Sequence, residues 1–371
     1  MTVVFGKACV FSLIVASLGA FHSDLFLSVA SALSVRPTSM QWSPATHLLE
    51  AHPEDVSILR HDAPRLAKDA DFAREVQTAW RSEIDRRPAP KWEASGSPIV
   101  YRTETGTPLH GYFVRSESSY VKMGKLPGIL LFHTGAGPQD IFLRWKAESL
   151  ATNADIGGCV VMVCDILSDG EGWAWEDRER YAQARKKTFS SFTDDNGVVS
   201  RPELQSRIQA AIETLCDLDT VDSGRLAAMG WCMGGHPILE IARMDIVGMK
   251  AAVTFHGVFD SVDEQEEAPK TRYIAKVGGV HNSRSALICH GSRDPFVKAV
   301  ELDTCRHAFQ IHGWEWTLLS FDDAKHGFTN PAQDCNPSDS FAFDEDAASE
   351  SWEAACRLLK QKLVEDKQDL K

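Results

Sequence analysis

Three stretches of this 371-residue chain bring together a thiol, a carboxylate and an imidazole. The first is Leu226-Ala227-Ala228-Met229-Gly230-Trp231-Cys232-Met233-Gly234-Gly235, which runs from an apolar strand-like segment through small residues into a helical pattern from His236. It has G-x-S-x-G spacing with cysteine in the serine position, the arrangement of a nucleophile on a sharp strand-to-helix turn. Glycines two residues either side let strand and helix approach closely. The helix N-terminus behind the sulfur favours a thiolate and any developing oxyanion. The second stretch, Ile288-Cys289-His290-Gly291-Ser292-Arg293-Asp294-Pro295, is a strand running into a turn with an acid. The third, Leu319-Ser320-Phe321-Asp322-Asp323-Ala324-Lys325-His326-Gly327-Phe328, is a strand running into a loop with a histidine. Cysteine, acid and histidine in this order would serve nucleophilic acyl transfer: thiol attack, proton transfer by imidazole, and a carboxylate fixing the imidazole tautomer.

Those loops need a scaffold, and the hydrophobic pattern supplies one. Ser97–Tyr101 and His110–Val114 read as a leading strand pair. Short, nearly continuous apolar runs follow at Gly128–Phe132, Cys159–Cys164, Leu226–Met229, Ala251–Phe255, Ala286–Cys289 and Trp316–Leu319, as expected of strands covered on both faces. Helical stretches lie between them. One starts at Ser200-Arg201-Pro202-Glu203, which has capping-box spacing, and continues with an apolar stripe of Leu204, Ile208, Ala211, Ile212 and Leu215. A final helix carries Trp352, Ala355, Cys356, Leu359 and Leu363 on one face. Strands alternating with helices predict an α/β fold with a mostly parallel sheet and helices on both faces. Nucleophile, acid and histidine in chain order is the α/β-hydrolase order.

Gly230-Trp231-Cys232-Met233-Gly234-Gly235, Phe255-His256-Gly257, Gly291-Ser292-Arg293-Asp294 and His326-Gly327-Phe328 together resemble the dienelactone hydrolase family over roughly residues 97–365. The resemblance implies an α/β-hydrolase fold and a triad with Cys232 as nucleophile, His326 as base and Asp294 as orienter. Asp322 and Asp323 are weaker competitors for the acid. The oxyanion donors are expected to be the backbone N–H of Met233 and one from His133-Thr134-Gly135-Ala136-Gly137, assigned to Gly135. A glutamate that holds the resting thiol commonly follows this strand in the family, and this chain has Thr134 instead. His133 and His256 are candidates for the pocket rim, with a structural hydrogen-bonded role as the alternative. Asp165 is expected to serve a turn rather than the site. The expected activity is hydrolysis of small esters or lactones through an acyl-thioester, with no cofactor. A non-catalytic ligand- or partner-binding protein on the same fold is the alternative.

Composition narrows the remaining classes. Hydrophobic residues make up 43% and charged residues 25%, an ordinary globular balance. A net charge of −13 argues against nucleic acid as the main partner, since such binding needs phosphate-neutralising Lys and Arg. The nine cysteines have no CxxC pair and no zinc-like His spacing beside them, so neither a structural metal nor a disulfide framework is expected. Residues 1–35 hold an uncharged run from Ala8 to Ala20 after Lys7, then Ala30-Ser31-Ala32, resembling a cleavage site. They read as a secretory signal or the first part of an organelle signal, with a short anchor or an apolar helix in a cytoplasmic protein as the alternative. No later stretch is apolar enough for a membrane span. Residues 36–96 read as an extension with one amphipathic helix around Phe72–Ile84, and 97–371 as the main domain.

Overall fold

The computed structural model describes residues 94–365, apart from 117–123, 136, 139–140, 154, 169–177, 194–198, 260–283, 331–332 and 334–338. The N-terminal apolar run and the helix expected around Phe72–Ile84 lie outside the described residues. Two strands, β1 (Ala94–Arg102) and β2 (Pro108–Ser116), pair antiparallel as the leading hairpin. The first begins at Ala94, three residues ahead of the run read from sequence. β2 lies antiparallel to β4 (Val160–Cys164), which pairs parallel with β3 (Leu126–Phe132). The parallel sheet continues from β3 through β5 (Val221–Trp231), β6 (Met249–Phe255), β7 (Ser285–Gly291) and β8 (Glu315–Phe321). The spatial order is β1-β2-β4-β3-β5-β6-β7-β8.

Among the described residues, six α-helices flank this sheet: α1 (Ile141–Ala151), α2 (Arg178–Phe189), α3 (Pro202–Cys216), α4 (Gly235–Met244), α5 (Ala299–Ile311) and α6 (Glu345–Lys360). The sheet separates two apolar layers. Side chains of α1 and α6 pack with one, and those of α2, α3, α4 and α5 with the other. Every residue of β3 and of β4 is buried, which explains their unbroken apolar sequences. Leu204, Ile208 and Leu215 of α3 are fully buried along one stripe, each contributing about 1.5–3 kcal/mol of burial free energy.

Two local expectations are corrected. Ser200 does not cap α3; it pairs with Phe192 in a two-residue ribbon, and Arg201 takes the N-cap position ahead of Pro202 without a side-chain cap bond. The ribbon engages Ser200 before the helix can. Trp316–Leu319 is not covered on both faces, because β8 is the sheet's edge strand. Trp316 is 37% exposed and lies under the Arg306 guanidinium, 5.4 Å from its ring centre. Parallel strand ends from β3 to β8 share one edge, where the loops carrying Gly135, Asp165, Cys232, His256, Asp294 and His326 emerge.

Candidate active site

Cys232 sits at the sharpest of these turns. β5 ends at Trp231, Cys232–Gly234 form one 3-10 turn, and α4 begins at Gly235. The backbone of Cys232 has φ 53°, the left-handed region that a non-glycine residue enters only under strain. The glycine at position 230 is a steric requirement: a Cβ there would lie 2.1 Å from the carbonyl oxygen of Gly234. The Val258 N–H donates to the Cys232 carbonyl at 2.8 Å and ties the turn to the loop after β6. Behind it, buried Trp231 stacks on Phe255 with ring centres 4.8 Å apart.

His326 and Asp294 meet beside this sulfur. His326 Nδ1–H donates to Asp294 Oδ2 at 2.6 Å, and Asp294 Oδ1 accepts the Phe296 N–H at 2.9 Å. Both side chains are buried, and the ring is packed edge-on by Phe296 at 5.0 Å and Phe341 at 5.4 Å. Burial opposes a charge on this imidazole, but the Asp294 carboxylate and then the Cys232 sulfur outweigh it, raising its pKa to about 10. Nε2 is buried, and the Cys232 sulfur is near enough to raise the ring's proton affinity. Cys232 and His326 are thus close neighbours at the end of the sheet. Asp323 faces away and pairs with Arg293 at 2.7 Å in solvent.

Cys232 and His326 line one cleft with about 250 Å³ of space, the solvent at its mouth included. Thr134, His256, Asn330 and Gln333 give it polar walls, and Phe142 and Phe341 give it apolar ones. Met233 follows the sulfur at the start of the 3-10 turn, and Gly135 is buried in the turn after β3. His256 is at the cleft as expected: its Nε2 is 3.0 Å from Thr329 Oγ1, and burial and then His326 hold its pKa well below the ordinary value. It is neutral.

His133 is not at the rim, which corrects its reading as a substrate contact. It is fully buried and does not line the cleft. Its Nε2 accepts the Ile166 N–H at 3.1 Å, so Nδ1 carries the proton and donates it to the Thr134 carbonyl at 2.6 Å. Asp165 has the expected turn role, with Oδ1 accepting the N–H groups of Leu167 and Ser168 at 3.1 and 3.0 Å. Sequence reasoning missed the walls formed by Asn330, Gln333, Phe142 and Phe341. Only nearness to His326 in the chain marked the first two.

An eight-stranded, mostly parallel sheet with Cys232 on a tight strand–helix turn at its C-terminal edge defines an α/β-hydrolase. Residues 109–363 match the dienelactone hydrolase family, and the chain belongs to it. The solved structure of a protein called m3DLH is 26% identical, covers 73% of this chain and 99% of its own, and has a TM-score of 0.58. A dienelactone hydrolase-like promiscuous phosphotriesterase from metagenomic libraries is also 26% identical, over 72% of this chain and 98% of its own, with a TM-score of 0.55. A probable 2-oxo-3-(5-oxofuran-2-ylidene)propanoate lactonase of Bradyrhizobium sp is 22% identical over 62% of this chain and 82% of its own. The protein is a hydrolase of this family.

Proposed function

We propose that this protein hydrolyses small carboxylic esters or lactones through Cys232, with His326 as acid and base and Asp294 as orienter. The observation that carries the reading is the 2.6 Å bond from His326 Nδ1 to Asp294 beside a cysteine held at φ 53° on a strand–helix turn. The attacking species in this reading is the Cys232 thiolate, with the protonated ring beside it as the proton donor.

The thiolate adds to the ester carbonyl carbon, and the resulting oxyanion is received by the N–H groups of Met233 and Gly135. His326 returns its proton to the departing alkoxide oxygen, leaving a thioester on Cys232. Neutral His326 then takes a proton from water. The hydroxide attacks the thioester, and the thiolate leaves as the carboxylic acid is released. These steps use one water per ester and call on no cofactor. For a lactone the alkoxide stays tethered, so one hydroxy acid is the product.

The relative named as a lactonase supports a ring ester as one substrate form. Purified protein should hydrolyse p-nitrophenyl acetate and simple lactones, and Cys232→Ala should not. Full activity in Cys232→Ala would end the proposal. An unaltered protein inert to every ester would favour the ligand-binding alternative.

A further inference from the structure

We infer that His133 is a positioning residue that aims the Gly135 N–H into the oxyanion site, an inference that rests on the hydrolase reading above. The Thr134 carbonyl and the Gly135 N–H belong to one peptide unit, and a peptide unit is planar with the two groups pointing oppositely. Whatever grips the carbonyl therefore sets the direction of the N–H. His133 Nδ1–H grips it at 2.6 Å, and so does the Gly137 N–H at 3.1 Å. Both also polarise the same amide, which strengthens its N–H as a donor to negative oxygen.

His133 can do this only as the Nδ1–H tautomer, and its surroundings select that form. Ile166 N–H occupies Nε2 at 3.1 Å. The Ile166 loop is itself pinned: Asp165 Oδ2 accepts the His110 N–H at 2.8 Å and also bonds the Ser168 hydroxyl. The Tyr101 hydroxyl donates to the Asp165 carbonyl at 2.9 Å and accepts its N–H at 3.0 Å. Arg207 Nη1 holds the Ser168 carbonyl at 2.7 Å. Asp165 stands 3.9 Å from His133 Nε2, with both oxygens already accepting other donors. Burial lowers the pKa of His133 against this carboxylate, so the ring stays neutral and the tautomer is fixed.

The test separates oxyanion stabilisation from thiol reactivity. Ester hydrolysis develops a negative carbonyl oxygen; alkylation of Cys232 by iodoacetamide forms an S–C bond as iodide leaves and develops none. His133→Leu removes the donor. His133→Asn keeps an N–H₂ near the position of Nδ1. We expect His133→Leu to lower kcat on p-nitrophenyl acetate by about 10²-fold, the scale of a misplaced catalytic group. His133→Asn should recover most of that loss, and Cys232 should alkylate within twofold of the unaltered rate in both. Normal alkylation also reports an intact elbow, so a misfolded variant is recognised. Hydrolysis and alkylation falling together, or no rescue by Asn, would overturn the assignment. So would a His133→Leu variant as active as the unaltered protein, with the hydrolase reading left standing. Failure of that reading shows earlier, as an unaltered protein inert to p-nitrophenyl acetate.

Discussion

Replacing Asp294 by asparagine tests the electrostatic core of the site with little change of shape. One carboxamide group can still accept the Phe296 N–H that Asp294 Oδ1 accepts at 2.9 Å. The amide nitrogen then faces His326 Nδ1, where a carboxylate oxygen lay at 2.6 Å. Two donors cannot share that contact, so the ring proton moves to Nε2, the nitrogen needed to accept a proton on the Cys232 side. Asp294 and Cys232 together hold His326 at about 10 against an ordinary 6.5, a difference on the order of 5 kcal/mol, with Asp294 the larger contributor. Losing much of this costs several kcal/mol, or roughly 10²- to 10⁴-fold in kcat. The loss should stay below that of Cys232→Ala, because a thiol needs less help from the base than a hydroxyl does.

The same substitution should change stability with a defined pH dependence. The folded-state pKa of His326 is raised, so its contribution is fully present below about pH 6.5 and lost as pH rises through about 10. Calorimetric Tm values of the unaltered protein and Asp294→Asn should therefore differ most near pH 6.5 and converge toward pH 10. A gap constant across that window, or kcat/KM within threefold of the unaltered protein, would refute the reasoning.

Three further outcomes are expected. Cys232 should be the fastest cysteine to react with iodoacetamide in native protein at pH 7, as read by peptide mass mapping, and His326→Ala should slow it at least tenfold. By contrast, burial pushes the Cys159, Cys289 and Cys305 thiols up, and Cys356 up to about 11, so these stay unlabelled over the same time. Gly230→Ala places a Cβ 2.1 Å from a backbone oxygen that cannot move aside, and should cost 3 kcal/mol or more, read as a loss of Tm of about 2–4 °C per kcal/mol. Glu240→Ala removes a carboxylate 1% exposed that lies 3.5 Å from Arg201 and 3.1 Å from Arg243, and chemical denaturation should report a loss of about 3–5 kcal/mol.

What was legible in the sequence was whatever local sterics or chain order dictate. The elbow declares itself because only glycine fits at Gly230, and because the turn's constraints lie within six residues. That Asp294 and His326 would meet beside Cys232 was legible because parallel strands deliver successive loops to one edge, so order along the chain maps onto nearness in space. What escaped depends on partners distant in sequence. His133 reads equally as ligand or structural residue until the Ile166 N–H, 33 residues on, is placed against its ring. Ser200 carries a proper cap signal, but Phe192 engages it first. Trp316-Thr317-Leu318-Leu319 looks like an interior strand because an apolar run does not encode which strand ends the sheet.

The site also shows how one pair of residue types takes two roles within one set of loops. His326 with Asp294 and His133 with Asp165 are both buried imidazole–carboxylate pairs, and burial disfavours the cation in each. The outcomes diverge through geometry. Asp294 presents an oxygen to the ring N–H at 2.6 Å, so its charge acts at full strength and the cation wins. Asp165 gives its oxygens to backbone N–H groups and the Ser168 hydroxyl, stands 3.9 Å from the ring, and leaves His133 to a backbone carbonyl, so burial wins. Environments that push two like groups apart in proton affinity divide their labour. Here the charged ring lies beside the sulfur and the neutral one beside the peptide that would receive the oxyanion. An imidazolium at His133 could no longer accept the Ile166 N–H, and the loop would lose the bond that fixes its tautomer. The neutrality of His133 is thus as much a part of the arrangement as the charge on His326.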